Sequence, residues 1–207
     1  MKNNEILIKE LSKIEAKIMQ GIYEEDESPF IFINGVRLDE MLSKINGDFF
    51  GLYPSWQARG YGFVLEEAEK KYVLYKSGLD KGVQILPILL CPDDWDFFCT
   101  VILVEVIPSE DTVIWNRFGL DISEDRCKYD EEGNYLDKND NVMIELFDKI
   151  QWYSEIKPFV FDRKEYENCI KIFDNWSKIY HEELAEINKK LNKKRKNKTL
   201  LNCEGDY

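Results

Sequence analysis

The alternation of apolar and polar positions is clearest over residues 82–120, GVQILPILLCPDDWDFFCTVILVEVIPSEDTVIWNRFGL. Three apolar runs, at 83–91, 97–107 and 112–118, are separated by two short polar breaks. β-branched and aromatic residues dominate all three, and runs of this length between turn residues read as strands. Pro92-Asp93-Asp94 and Pro108-Ser109-Glu110-Asp111 supply the turns, with Pro presetting φ and Asp bonding the local backbone. The pattern predicts a three-stranded antiparallel meander at the centre of the chain.

The flanks predict further elements. Residues 3–20 read as a helix, because Leu7, Leu11, Ile14 and Ile18 recur at helical spacing, with Gly21 as its C-cap. An acidic link over 24–27 leads to a short strand at 30–33. Asn34-Gly35 then marks a turn, and 36–45 reads as a short helix with Leu38, Met41, Leu42 and Ile45 inward. Residues 47–62, GDFFGLYPSWQARGYG, form a loop rich in glycine and aromatics. Its aromatics are either a lid over the core or contact residues. Residues 65–77 predict a helix ended by Gly78.

The C-terminal part opens with a strand at 158–161. Asp162 is a good N-cap, and Glu165 completes a capping box. A long helix follows, whose seam of Tyr166, Ile170, Phe173, Ser177, Tyr180, Leu184, Ile187 and Leu191 alternates at four and three. Its first half is expected to pack on the sheet. Beyond about Tyr180 it is expected to leave the body and end in a basic, partly disordered tail. The fold class is therefore α+β: a mainly antiparallel sheet of four to six strands, packed by an N-terminal helix and a long C-terminal helix. One domain spans 1–180, with a helical extension and tail over 181–207.

Charge changes this picture in two places. The 207 residues carry a net charge of −12 and one His. Residues 189–198 hold seven positive charges and no negative ones, which leaves −19 on the rest. A body this acidic repels nucleic acid and favours basic partners. The segment 121–148 holds ten acidic residues against three basic ones and reads as a surface insertion. Within it, residues 128–135 suggest a small hairpin around Gly133. The basic tail would bind polyanions in a salt-dependent way, but it lacks interleaved aromatics for base stacking and also suits a helix C-terminus. No stretch reaches the roughly 18 apolar residues of a membrane span, and no signal-peptide core precedes the first element. With five scattered Cys and no Cys-x-x-Cys pair, the expected setting is a reducing cytoplasm.

Candidate chemistry is sparse. Cys91, Asp93, Asp94 and Cys99 lie close together, but their spacing matches no zinc pattern and no His is near. Asp137, Asn139, Asn141 and Asp148 resemble a calcium loop in outline. Val142 stands where that loop needs Gly, and Asp148 where it needs Glu. His181 sits between Tyr180 and Glu182 on the exposed part of the last helix. No nucleophile has a His neighbour in sequence, and no phosphate-cradling Gly loop is present. No metal, cofactor or catalytic residue is expected.

Several stretches carry a resemblance when taken in order. They are residues 33–38 (INGVRL) with Leu42, then Gly51-Leu52, then residues 86–91 (LPILLC) and the Cys99 strand. Residues 113–118 (VIWNRF) follow, then residues 158–161 (PFVF) with Tyr166 and Ile170. The order resembles a family of small uncharacterised bacterial proteins with an ING-x-x-L start, a PLL-x-C strand, a V-x-W strand and a PF-x-F-x4-Y ending. Relatives in that family carry a Cys-x-Cys-Gly…Cys-Trp turn where this chain has Cys91-Pro-Asp-Asp-Trp-Asp-Phe-Phe-Cys99. That departure removes any ligand cluster a relative might use. In character the chain is also similar to the immunity proteins of bacterial toxin systems: small, acidic, aromatic-rich and without catalytic residues.

The reading this supports is an immunity protein that occludes a cognate toxin, expected to be a basic nuclease. The partner-binding candidates are Asp125, Tyr129, Asp130, Glu131, Glu132, Tyr135, Asp137 and Asp140. A runner-up patch is Tyr53, Trp56 and Tyr61. No membrane and no direct nucleic-acid contact are expected. Two other classes stay open: a homo-oligomer built through the C-terminal helix, and an enzyme whose site the sequence does not reveal.

Overall fold

The computed structural model describes residues 10–22, 27–59, 78–79, 82–93, 97, 99–123, 128–129, 135–136 and 147–202. The central meander is present as β5 (Gln84–Leu90), β6 (Val101–Pro108) and β7 (Thr112–Asp121). All pairings are antiparallel. The turn between β6 and β7 closes as its residues suggest, with the Ser109 amide donating to the Thr112 carbonyl at 2.8 Å. Pro87 falls inside β5, where it cannot donate to the ladder. The register slips there, between Pro87 and Leu89, and the Ser55 hydroxyl donates to the Pro87 carbonyl at 2.7 Å.

Three more strands complete this six-stranded sheet. β4 (Tyr53–Pro54) pairs with β5. The other edge of the long β7 is shared end to end. β11 (Phe159–Asp162) takes its first half, pairing Phe159 with Trp115, and β10 (Ile150–Tyr153) takes its second, pairing Trp152 with Gly119.

A second sheet holds β1 (Ile14–Gln20), β2 (Glu27–Ile33) and β3 (Val36–Arg37). Asn34 and Gly35 turn β2 into β3 at φ of 51° and 81°, the left-handed pair a two-residue hairpin needs. Helix α1 (Leu38–Ser43) follows directly. Between β7 and β10 the two-stranded ladder of β8 (Lys128–Tyr129) and β9 (Tyr135–Leu136) forms the small hairpin the sequence suggests.

The N-terminal helix is corrected. Residues 14–20 form strand β1, paired along its whole length with β2 from Ile14–Ile33 to Gln20–Glu27. Ile14 and Ile18 are four apart, a spacing that fits one helical face and one strand face equally well. The partner strand decides, as tertiary pairing overrides local propensity. Ile14 is buried while Ile18 is 54% exposed, so the two do not share a buried stripe. Residues 3–9 and the expected helix at 65–77 lie outside the described residues.

Helix α2 (Arg163–Asn202) starts where its cap indicates, with Asp162 Oδ1 accepting from the amides of Lys164 at 2.9 Å and Glu165 at 3.0 Å. Arg163 pins this end to the β6–β7 turn, donating from Nη1 to the Ser109 carbonyl at 2.6 Å. Tyr166, Ile170, Phe173 and Ser177 of the seam are buried against the sheets. Among them lies an aromatic centre. Trp115 is fully buried, with Phe161 at 5.2 Å, Phe118 at 5.7 Å, Tyr166 at 6.0 Å and Trp56 at 6.2 Å, all close to edge-to-face. Beyond Ser177 the helix continues to Asn202, and the residues up to Lys190 whose burial is described are mostly exposed.

The motifs of the resemblance fall on this frame. Residues 33–38 run from the end of β2 through β3 to the start of α1, 86–90 lie on β5, 113–118 on β7, and 159–161 on β11.

Candidate partner-binding surface

The acidic segment leaves the sheet between two paired strands, so its two ends are neighbours. Asp121 of β7 is paired with Ile150 of β10. One step further out, the Ile122 amide donates to the Lys149 carbonyl at 2.9 Å. Ser123 closes the neck. Its hydroxyl donates to Asp121 Oδ1 at 2.7 Å, and its oxygen accepts from the Lys149 amide at 3.2 Å. The two ends of the acidic segment are therefore clasped together at the sheet.

The wall beside that root has its own chemistry. Gly119 is essential to it, since a Cβ there would lie 2.4 Å from Ile150 Cγ2 and 2.9 Å from Trp152 Cε3. Without a side chain at 119, Trp152 lies across β7. The Arg117 guanidinium stands over the Trp152 ring at 4.0 Å. Arg117 also donates to Glu105 Oε1 at 2.7 Å, and Asn116 donates to Glu105 Oε2 at 2.6 Å. Burial alone would raise the Glu105 carboxyl. The hydrogen bonds from Arg117 and Asn116 outweigh it and hold the group below the usual carboxylate range. Arg117 keeps 44% of its side chain exposed, so this wall presents a cation over an aromatic face.

Of the partner-binding candidates, Tyr129 and Tyr135 are brought together, directly opposite in the β8–β9 register. Asp125, Asp130, Glu131, Glu132, Asp137 and Asp140 lie outside the described residues. The runner-up patch is corrected. Tyr53 is buried, edge-on to Phe30 at 5.0 Å, and Trp56 is buried between Phe173 at 5.4 Å and Tyr166 at 5.8 Å. Strand β4 and the 3-10 turn of Ser55–Arg59 that follows it carry both rings into the core. Tyr61 lies outside the described residues.

A comparison with family models, with curated proteins and with solved structures finds no match to this chain. The functional reading therefore rests on the residues themselves.

Other chemistry-bearing groups are placed as follows. Among the described residues no group of three or more His, Cys, Asp and Glu could hold a metal ion. Asp94 and residues 137–146 of the calcium-like loop are not among them, and Asp148 is exposed. The Cys169 thiol is pushed up to about 12, chiefly by burial and then by the charge of Glu15, and stays protonated at neutral pH. It faces an open hollow of about 230 Å³ between β1 and α2, floored by Ile14, Ala16 and Ile172. No described helix is long and apolar enough to cross a membrane.

The Arg117–Trp152–Glu105 wall is what the sequence reading missed. Its members come from three strands: the β6–β7 register sets Glu105 opposite Arg117, and Gly119 leaves the room that brings in Trp152.

Proposed function

We propose that this protein binds a basic protein partner and neutralises it by occlusion, as the immunity proteins of bacterial toxin systems do. The observation that carries the reading is the clasped neck at Asp121, Ser123 and Lys149. It roots a segment of ten acidic and three basic residues on two paired strands. Holding carboxylates on a fixed root lowers the ordering cost of binding, and their field steers a basic partner to the surface. Tyr129 and Tyr135, opposed in register, are the candidate aromatic anchors. A nuclease is the partner class that suits this charge, because its phosphate-binding Lys and Arg are the groups the carboxylates would cover. Lysine substitution of Asp130, Glu131 and Glu132 together tests the reading. Association should slow and protection against the partner should fall, with the fold unchanged. Full protection by the triple variant would defeat the charged-surface mechanism.

A further inference from the structure

The outer half of α2 offers a second surface, independent of the acidic excursion. From Ser177 to Asn202 the helix runs on for about 25 residues, or about 37 Å. Ile179 is 55% exposed and Ile187 is 50% exposed. Every residue from His181 to Lys190 whose burial is described is exposed. In sequence the heptad seam of the buried half continues unbroken through Tyr180, Leu184, Ile187 and Leu191.

Charge is divided along the same helix. Glu182, Glu183 and Glu186 lie near the body, and the seven cations of 189–198 lie at the far end. Two such helices side by side in the same direction would oppose acid to acid and seven cations to seven. Running in opposite directions, each acidic segment faces the other's basic segment.

We infer that the outer half of α2 is a homodimerisation element, which pairs with a second copy of this chain as an antiparallel two-helix coiled coil. The two-fold axis passes near Lys189. In this register position 187 stands opposite 191 of the second copy, 184 opposite 194 and 180 opposite 198. The a-type positions of one helix thus meet the d-type positions of the other throughout. The length also fits, because Leu201 of the second copy reaches Ser177, where the first helix enters its own body. The basic end of each helix then lies beside a strongly acidic body. Lys at the outer seam positions leaves the pairing moderate in strength and sensitive to salt.

Sedimentation equilibrium on the full chain tests this. The wild type should dimerise at low salt and dissociate as salt rises. Ile187→Asp should weaken the dimer by roughly tenfold or more, with circular dichroism and unfolding of the body unchanged. Two charge-reversed chains fix the direction. E182K/E183K/E186K and K193E/K194E/R195E/K196E should each be monomeric alone and should pair when mixed. A parallel dimer would not respond to either reversal alone, because it exchanges one like-charge contact for another. A monomeric wild type at tens of micromolar overturns the inference, as does a dimer indifferent to Ile187→Asp or to both reversals.

Discussion

Trp115 and Trp152 stand on paired regions of one sheet in unlike surroundings. Trp115 has no exposed surface and is enclosed by Trp56, Phe118, Phe161 and Tyr166, with its Nε1 donating to the Tyr166 hydroxyl at 3.2 Å. Trp152 is half-buried beneath an exposed Arg117, at the root of a segment rich in carboxylates. The same side chain closes a core in one place and backs a charged wall in the other. The difference lies in what each strand pairs with. β11 brings Phe159 and Phe161 to the first half of β7, and β10 brings the neck of the excursion to the second. One half of β7 thus holds the protein together, and the other half presents its charge.

The sharpest way to break this contrast is to damage the core alone. Trp115→Ala should cost about 3–5 kcal/mol in urea unfolding, since the surrounding rings cannot close the void. A loss below about 1 kcal/mol would mean that the aromatic centre does not hold the fold. Asp39→Ala tests the one buried ion pair that the described residues show between α1 and its flanks. Asp39 pairs with Arg37 and accepts from the Gly51 amide at 2.9 Å, so its loss strands a buried guanidinium. A cost of about 3–5 kcal/mol is expected. Replacing Arg37 and Asp39 together by Met and Leu should cost much less, and equal costs would contradict the ion-pair account.

Smaller effects probe the charged half. Ser123→Ala removes the neck's bridging hydroxyl and should cost about 1 kcal/mol. Amide exchange at Ile122 and Lys149 should quicken more than at Trp115. Uniform exchange would show that the neck is not a separate clasp. Glu105 gives a pH signature. Its carboxyl is held below the usual carboxylate range, so its share of stability is complete above that range. That share is lost as pH falls through the lower folded-state value. Glu105→Gln should flatten the acid limb of the stability curve, below about pH 4.5, and leave its slope at neutral pH unchanged. The smallest effect on folding belongs to the largest change in charge. Lysine at 130, 131 and 132 should move stability by no more than about 0.5 kcal/mol.

The meander was legible because its three apolar runs are bounded by Pro and Asp, which punctuate strands for stated steric reasons. The start of α2 was legible because Asp162 and Glu165 form a local signal that needs no partner. β1 was not, since Ile14-Glu-Ala-Lys-Ile18 satisfies both periods and only β2 distinguishes them. Tyr53 and Trp56 stay open as a surface in sequence, because loop composition does not encode which way a ring turns. The neck was invisible for a different reason. Ser123 meets Lys149 across an excursion whose length says nothing about where its ends return. Likewise Arg117 and Trp152 meet only because Gly119 leaves room for the ring.

The most direct test of the account is a paired capture from the lysate of the source cells. Wild type and the D130K/E131K/E132K variant serve as baits, each at low and then high salt. The account predicts a stoichiometric basic protein on the wild type, released by salt and missing from the variant. The same protein held equally by both baits, or no basic partner on either, would contradict it.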